Sequence, residues 1–202
     1  MKRILLICLL LPAMAMLSFR VGPEPLAIGS AMPKGDVMMK DISGKEISLN
    51  NARKANGLLV MFSCNTCPVV INNAERANAI AKFALKNNMG VIFVNSNEAN
   101  RENSESLAAM KSYAAKEGFN WFYTADTKSE LADAFGASRT PECFLFNKEG
   151  KLVYHGAIDD NPNKAEGVTR KHLELAITET CSGKEVSVNT SRSVGCSIKR
   201  AG

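Results

Sequence analysis

The chain has 202 residues, 46% of them hydrophobic and 22% charged, with a formal net charge of +5. These values exclude general disorder and a polytopic membrane protein. The length suffices for one domain with its own core, without a disulfide scaffold.

Lys2 and Arg3 form a basic start, and Ile4–Leu11 is an apolar run that Pro12 can break. Ala13-Met14-Ala15 then offers the small-x-small pattern of a cleavable export signal. The expectation is a signal peptide over 1–15, with an uncleaved anchor as the alternative, although the run is short for a membrane span. Cys8 reads as a small hydrophobe of that signal. An exported protein works outside the cytoplasm, where disulfides persist. Five of the six cysteines then remain, an odd number.

Residues 16–35 read as a linker rich in Pro and Gly, and 36–181 as the folded domain. Asp36–Lys40 and Lys45–Leu49 flank Ser43-Gly44 as a short β-hairpin. Gly57–Phe62 is a continuous apolar run, as expected of a strand buried on both faces. Cys64-Asn-Thr-Cys67-Pro68 follows, and Val70, Ala74, Ala77, Ala81 and Ala84 then recur at helical spacing to about Lys86. Gly90–Val94 is a second buried strand, and Asn95–Asn103 is a polar loop. Leu107, Met110 and Ala114 mark a helix that Gly118 ends. Phe119–Thr124 is a strand, Thr127 with Glu130 makes a capping box, and Gly136 stops that short helix. Pro141–Phe146 and Leu152–Ala157 are strands around the Asn147–Gly150 turn. Thr169 caps a last helix carrying Leu173, Ala176 and Ile177. Residues 182–202 read as an irregular tail, and its cations Lys184, Arg192, Lys199 and Arg200 as a solvated end. No interleaving of aromatic and basic residues argues for nucleic acid. The order predicts an α/β fold with one mixed central sheet and helices on both faces.

A CxxC at a strand-to-helix junction carries chemistry. Cys64 is expected at or next to the helix N-cap, where free N–H groups favour a thiolate. Cys67 follows one turn later, placed to attack a mixed disulfide. Cys64 is therefore expected as nucleophile and Cys67 as resolving thiol. A zinc site would need a second CxxC or paired histidines. The chain has only His155 and His172, neither with a ligand neighbour, so no metal is assigned. Such a pair works only if its sulfurs can bridge and face a surface cleft.

The segments Ser63-Cys-Asn-Thr-Cys-Pro68, Arg139-Thr-Pro-Glu-Cys-Phe-Leu-Phe146, Gly156-Ala-Ile-Asp-Asp160 and Gly195-Cys-Ser-Ile-Lys199 resemble the thioredoxin-like superfamily. They look most like its secreted redoxin branch, grouped with AhpC/TSA-type peroxiredoxins and TlpA/ResA-like thiol oxidoreductases. The resemblance covers about residues 24–199. It implies a thioredoxin-like fold, no organic cofactor, protein thiols or disulfides as substrate, and an upstream redox protein at the membrane. It also implies that Pro141 is a cis proline facing the CxxC and that Thr140 binds an extended substrate segment through its backbone. Asp159 and Asp160, brought near Pro141 by antiparallel pairing, and Arg139 and Glu142, which flank the proline, are candidate modulators of the site.

The chain departs from the family in places. Ser63 stands where an aromatic residue is common, and Leu58 where a buried carboxylate often serves the resolving thiol. Glu142 or a water is the remaining candidate for that base. Direct peroxide reduction is an alternative, but the PxxxTxxC pattern of peroxiredoxins is missing: Met61 and Gly57 occupy those offsets before Cys64, and Cys64 and Val60 those before Cys67. A second alternative is a copper chaperone of the Sco type using Cys64, Cys67 and His155. Cys143 reads as a small core residue. The chain from Cys181 to Cys196 can span about 50 Å, so Cys196 is free to staple to Cys181 or to return to the CxxC as a third redox thiol.

Overall fold

The computed structural model describes residues 24–201. The expected export signal and cleavage site lie outside them. Among the described residues no helix is long and apolar enough to cross a membrane.

Among the described residues, nine strands and six α-helices follow in the order β1 (Met39–Asp41), β2 (Glu46–Ile47), α1 (Leu49–Ala52), β3 (Leu58–Phe62), α2 (Pro68–Asn72), α3 (Ala74–Lys86), β4 (Gly90–Asn95), α4 (Leu107–Glu117), β5 (Phe122–Ala125), α5 (Glu130–Phe135), β6 (Arg139–Thr140), β7 (Glu142–Phe146), β8 (Leu152–Gly156), α6 (His172–Cys181) and β9 (Cys196–Ser197). The main sheet runs β2-β1-β5-β4-β3-β7-β8, with β6 and β9 paired separately. It is mixed: β3 pairs parallel with β4 and antiparallel with β7. This is a thioredoxin-like fold.

The strands show why the central runs are wholly apolar. Side chains alternate across a strand, and both faces here are covered. Leu59 and Met61 of β3, Val91 and Phe93 of β4, and Cys143 and Leu145 of β7 meet one core with α3, α4 and α6. Leu58, Val60, Phe62, Ile92, Val94, Phe144 and Phe146 meet the other with α1 and α5. There Phe135 packs edge-on against Phe62, Phe144 and Phe146, with ring centroids 5.1–5.7 Å apart. Cys143 is therefore a core residue, fully buried, and burial pushes its thiol up.

Several local expectations change. The helix after the CxxC is broken at Asn73, where φ −102° and ψ 4° interrupt it. The Asn73 amide donates to both the Val69 and Pro162 carbonyls, tying the break to a distant loop. A short helix at 49–52 was not expected; Ser48 and Asn51 form its reciprocal cap. Thr127 does not cap α5: Asp126 accepts from the Leu131 and Ala132 N–H groups instead, at 2.9 and 3.0 Å. Thr169 does not cap α6, whose N-cap is Lys171; its hydroxyl bonds to Asp160. Gly118 and Gly136 do end their helices, both left-handed. Residues 24–35, expected as a linker, lie against the domain, with Leu26 N–H donating to Phe135 and Gly29 N–H to Leu152.

Register places the site. Phe62 at the end of β3 faces Glu142 at the start of β7. The chain leaving β3 thus enters the CxxC beside the Thr140–Pro141 bond, which is cis.

Candidate active site

Beyond Phe62, the Ser63 N–H still donates to Val94 and extends the parallel ladder. Cys64 and Cys67 then pack with Val70, against which Val69, Tyr113 and Cys196 lean. Both CxxC sulfurs reach the same residue, Thr140, from their shared cluster. Cys64 Sγ lies 3.3 Å from the Thr140 hydroxyl, and Cys67 Sγ lies 3.4 Å from the Thr140 carbonyl oxygen. The pair and the cis-proline segment thus meet as expected.

The helix starts later than expected, which changes the electrostatics. Pro68 is the first helical residue and Cys67 its N-cap, so Cys64 sits three residues ahead of the cap, outside it. Cys67 is the sulfur that its surroundings favour as an anion. The Cys64 thiol donates to it, the Cys196 thiol and the Val70 and Cys196 N–H groups add to this, and together they overcome burial to pull it down to about 4. Cys64 is pushed up, first by giving its proton to that bond, then by burial and the Glu105 charge. Cys67, and not Cys64, is thus the sulfur at the helix start, while Cys64 lies nearer the Glu105 charge.

Glu105 is the residue that sequence reasoning missed. It is fully buried. Its carboxylate accepts from the Asn65 N–H at 3.0 Å, the Thr66 hydroxyl at 2.8 Å and the Asn95 amide at 2.6 Å. Asn65 further donates to the Ser104 carbonyl and accepts from the Tyr123 hydroxyl. The middle pair of the CxxC is thus clamped by a carboxylate from a loop some forty residues away. No local pattern marks Glu105; it stands outside the apolar periodicity of α4 and only the packing of that loop brings it in.

The candidate modulators have structural partners. One Glu142 oxygen accepts from the Ser138 and Arg139 N–H groups at 2.8 and 3.0 Å. The other lies 2.7 Å from His155 Nε2. Glu142 thereby holds the approach to Thr140, and its hydrogen bonds go to these partners rather than to Cys67. His155 also stacks on Phe144, and its Nε2 is engaged by Glu142. Among the described residues no three His, Cys, Asp or Glu are grouped to hold a metal. Asp159 lines a small cavity with Pro141 but is paired to Arg76 at 2.6 Å. Asp160 is exposed and turned to Thr169. The exposed Arg139 donates to the Gly195 carbonyl. His172 is half-buried in the first turn of α6.

The tail is neither irregular throughout nor a solvated end. Its Cys196 pairs with Thr140 through β6 and β9, so the edge expected to bind substrate is occupied by the chain itself. Arg200 pairs with Asp133. Cys181 ends α6 beside the Asn87 carbonyl, so a Cys181–Cys196 staple is not the arrangement adopted. All five described cysteines are free thiols. The CxxC sulfurs share Thr140 as a neighbour but are covered, Cys64 1% exposed and Cys67 3%, so the surface cleft expected in front of them is not open in this structure.

Comparison with known proteins agrees with this architecture. The redoxin family model matches residues 27–173; the chain belongs to the redoxin family and thus to the thioredoxin-like redox proteins. A hypothetical protein of Sinorhizobium meliloti is 30% identical with a TM-score of 0.80, covering 88% of this chain and 97% of its own. An uncharacterized conserved protein of Geobacillus kaustophilus is 28% identical with a TM-score of 0.80, covering 87% and 93%. A secreted Mycobacterium tuberculosis disulfide oxidoreductase shares the fold at 12% identity and a TM-score of 0.55, covering 72% and 96%. A search of curated proteins returns no match.

Proposed function

We propose that this protein is an exported thiol–disulfide oxidoreductase that exchanges electrons with protein thiols and disulfides through Cys64 and Cys67. The observation that carries this reading is the clustering of the two thiols just beyond β3, both in contact with Thr140 of the cis Thr140–Pro141 segment. Two thiols so placed interconvert with a disulfide by losing two electrons and two protons. Cys67 is the resting thiolate and Cys64 supplies the proton it bonds. Glu142, Arg139 and Asp159 act on the site by holding the cis-proline loop and its neighbours, without touching the sulfurs. Export rests on the N-terminal pattern of Lys2 to Ala15. The upstream partner is a membrane-associated redox protein.

Redox titration of the mature protein with Cys64→Ser and Cys67→Ser variants, followed by mass-spectrometric mapping of bonds, tests the reading. The expected result is one two-electron couple, assigned to a Cys64–Cys67 disulfide and lost in both variants. A couple that survives either substitution, or a pair that never bridges, refutes it.

A further inference from the structure

The tail strand β9 lies over the CxxC pair with a cysteine at its crossing point. Thr140, whose side chain and carbonyl contact Cys64 and Cys67, has Cys196 as its register partner. Cys196 packs against the cluster that Cys64 and Cys67 form with Val70. It is half-buried, whereas the other two sulfurs are almost wholly covered. Of the three clustered thiols, only this one meets solvent appreciably.

The placement is held on both sides. A Cβ at Gly195 would stand 2.0 Å from the Thr140 carbonyl oxygen, so only glycine lets the tail come this close. Arg139 donates to the Gly195 carbonyl at 3.2 Å. Beyond the cysteine, Ile198 is buried and its N–H donates to Ser138 at 3.0 Å. The Lys199 N–H donates to Asn97 at 2.8 Å, and the Arg200 guanidinium reaches Asp133 and the Ala137 carbonyl. A strand that only covered the site would need no sulfur at its inner crossing.

We infer that Cys196 is a third exchanging thiol and the port of the site, the sulfur through which partner protein thiols reach the covered Cys64–Cys67 pair. The inference rests on the exchange chemistry proposed above. In the oxidised protein the Cys196 thiolate attacks Cys67 of the Cys64–Cys67 disulfide. A Cys67–Cys196 disulfide forms and Cys64 leaves, taking up a proton to end as the thiol its surroundings favour. A partner thiolate then attacks the accessible Cys196 sulfur, forming a mixed disulfide and expelling Cys67. A low-pKa thiol leaves faster, and the surroundings of Cys67 make it one. A second partner thiolate attacks the mixed disulfide, releasing the partner disulfide and the Cys196 thiolate. Two electrons pass from two partner thiols to the former Cys64–Cys67 bond, and each step runs in reverse when the partner arrives oxidised.

The test uses the purified protein with diamide as oxidant and reduced, unfolded ribonuclease A as the protein thiol. Cys64→Ser oxidised with diamide should yield an intramolecular Cys67–Cys196 disulfide by mass spectrometry. Cys196→Ser should still form the Cys64–Cys67 disulfide, and its oxidised form should react with the reduced ribonuclease about tenfold or more slowly, since access limits exchange at a covered disulfide. Cys196→Ala gives the same reading with an apolar side chain, should the hydroxyl disturb packing. The inference stands only if both results are obtained. A Cys64→Ser protein with no Cys67–Cys196 bond overturns it, as does a Cys196 variant that reacts within about threefold of the parent. In either case a retained Cys64–Cys67 couple leaves the oxidoreductase reading in place; loss of that couple in the otherwise unaltered protein refutes the reading itself.

Discussion

If Cys67 rests as a thiolate, its reactivity must be nearly flat with pH where an ordinary thiol's is steep. Its surroundings hold it at about 4, against about 8.5 for a free cysteine. At pH 7 an ordinary thiol is about 3% thiolate and Cys67 is almost entirely so, an advantage of about thirtyfold. Intrinsic nucleophilicity falls with pKa, with a Brønsted coefficient of roughly 0.4–0.5, which over this gap costs about a hundredfold. The net rate at pH 7 is thus about threefold below that of a free thiol. At pH 5 the free thiol has lost a further hundredfold of its thiolate and Cys67 almost none, so Cys67 is about thirtyfold the faster. Burial slows every rate alike and leaves the slope as the readout. Iodoacetamide labelling of the reduced protein between about pH 5 and 8, quantified at Cys67 by mass spectrometry, measures it. Cys64→Ala removes the main proton donor and should move the onset of the plateau to higher pH. Labelling of Cys67 that rises about tenfold per pH unit throughout this range would refute the assignment.

The same lowering has a stability sign. Between about pH 4 and 8.5 the folded state binds fewer protons at Cys67 than the unfolded chain, so this contribution grows as pH rises and is lost as pH falls towards the folded value. Reduced minus oxidised stability by denaturant titration should therefore increase from pH 5 to 8, and a flat difference would contradict it. Glu105→Ala leaves the Asn65 N–H, the Thr66 hydroxyl and the Asn95 amide without their acceptor. The expected loss is about 3–5 kcal/mol, or roughly 6–20 °C in Tm by calorimetry. Arg76→Ala strands the buried Asp159 carboxylate and should cost about 3–5 kcal/mol, with Arg76→Ala/Asp159→Asn recovering part of it. Gly195→Ala drives a methyl into the Thr140 carbonyl; hydrogen exchange should rise at Cys196–Ile198 while the main sheet stays protected, and equal protection would show that the tail accommodates it.

The central sheet and the place of the CxxC were legible because they follow from short-range rules. Runs such as Leu58–Phe62 and Cys143–Phe146 are apolar on both faces, which only a strand covered twice requires. Antiparallel return then sets Pro141 beside Cys64 by counting. Left-handed helix ends at Gly118 and Gly136 are local as well. The caps of α5 and α6 were not, because Asp126 and Thr169 take partners that compete with the capping pattern nearest in sequence.

What the tertiary structure alone decided is the electrostatics of the sulfurs. A helix that begins one residue past Cys67, a carboxylate from a distant loop and a tail cysteine laid across Thr140 make the surroundings of the two thiols unequal. None of these has a signature in spacing, since each depends on groups far apart in the chain meeting in a space from which water is excluded. Composition and periodicity determine which segments bury; where a proton rests among buried groups is set by whichever dipoles and charges the fold brings within a few ångströms of it.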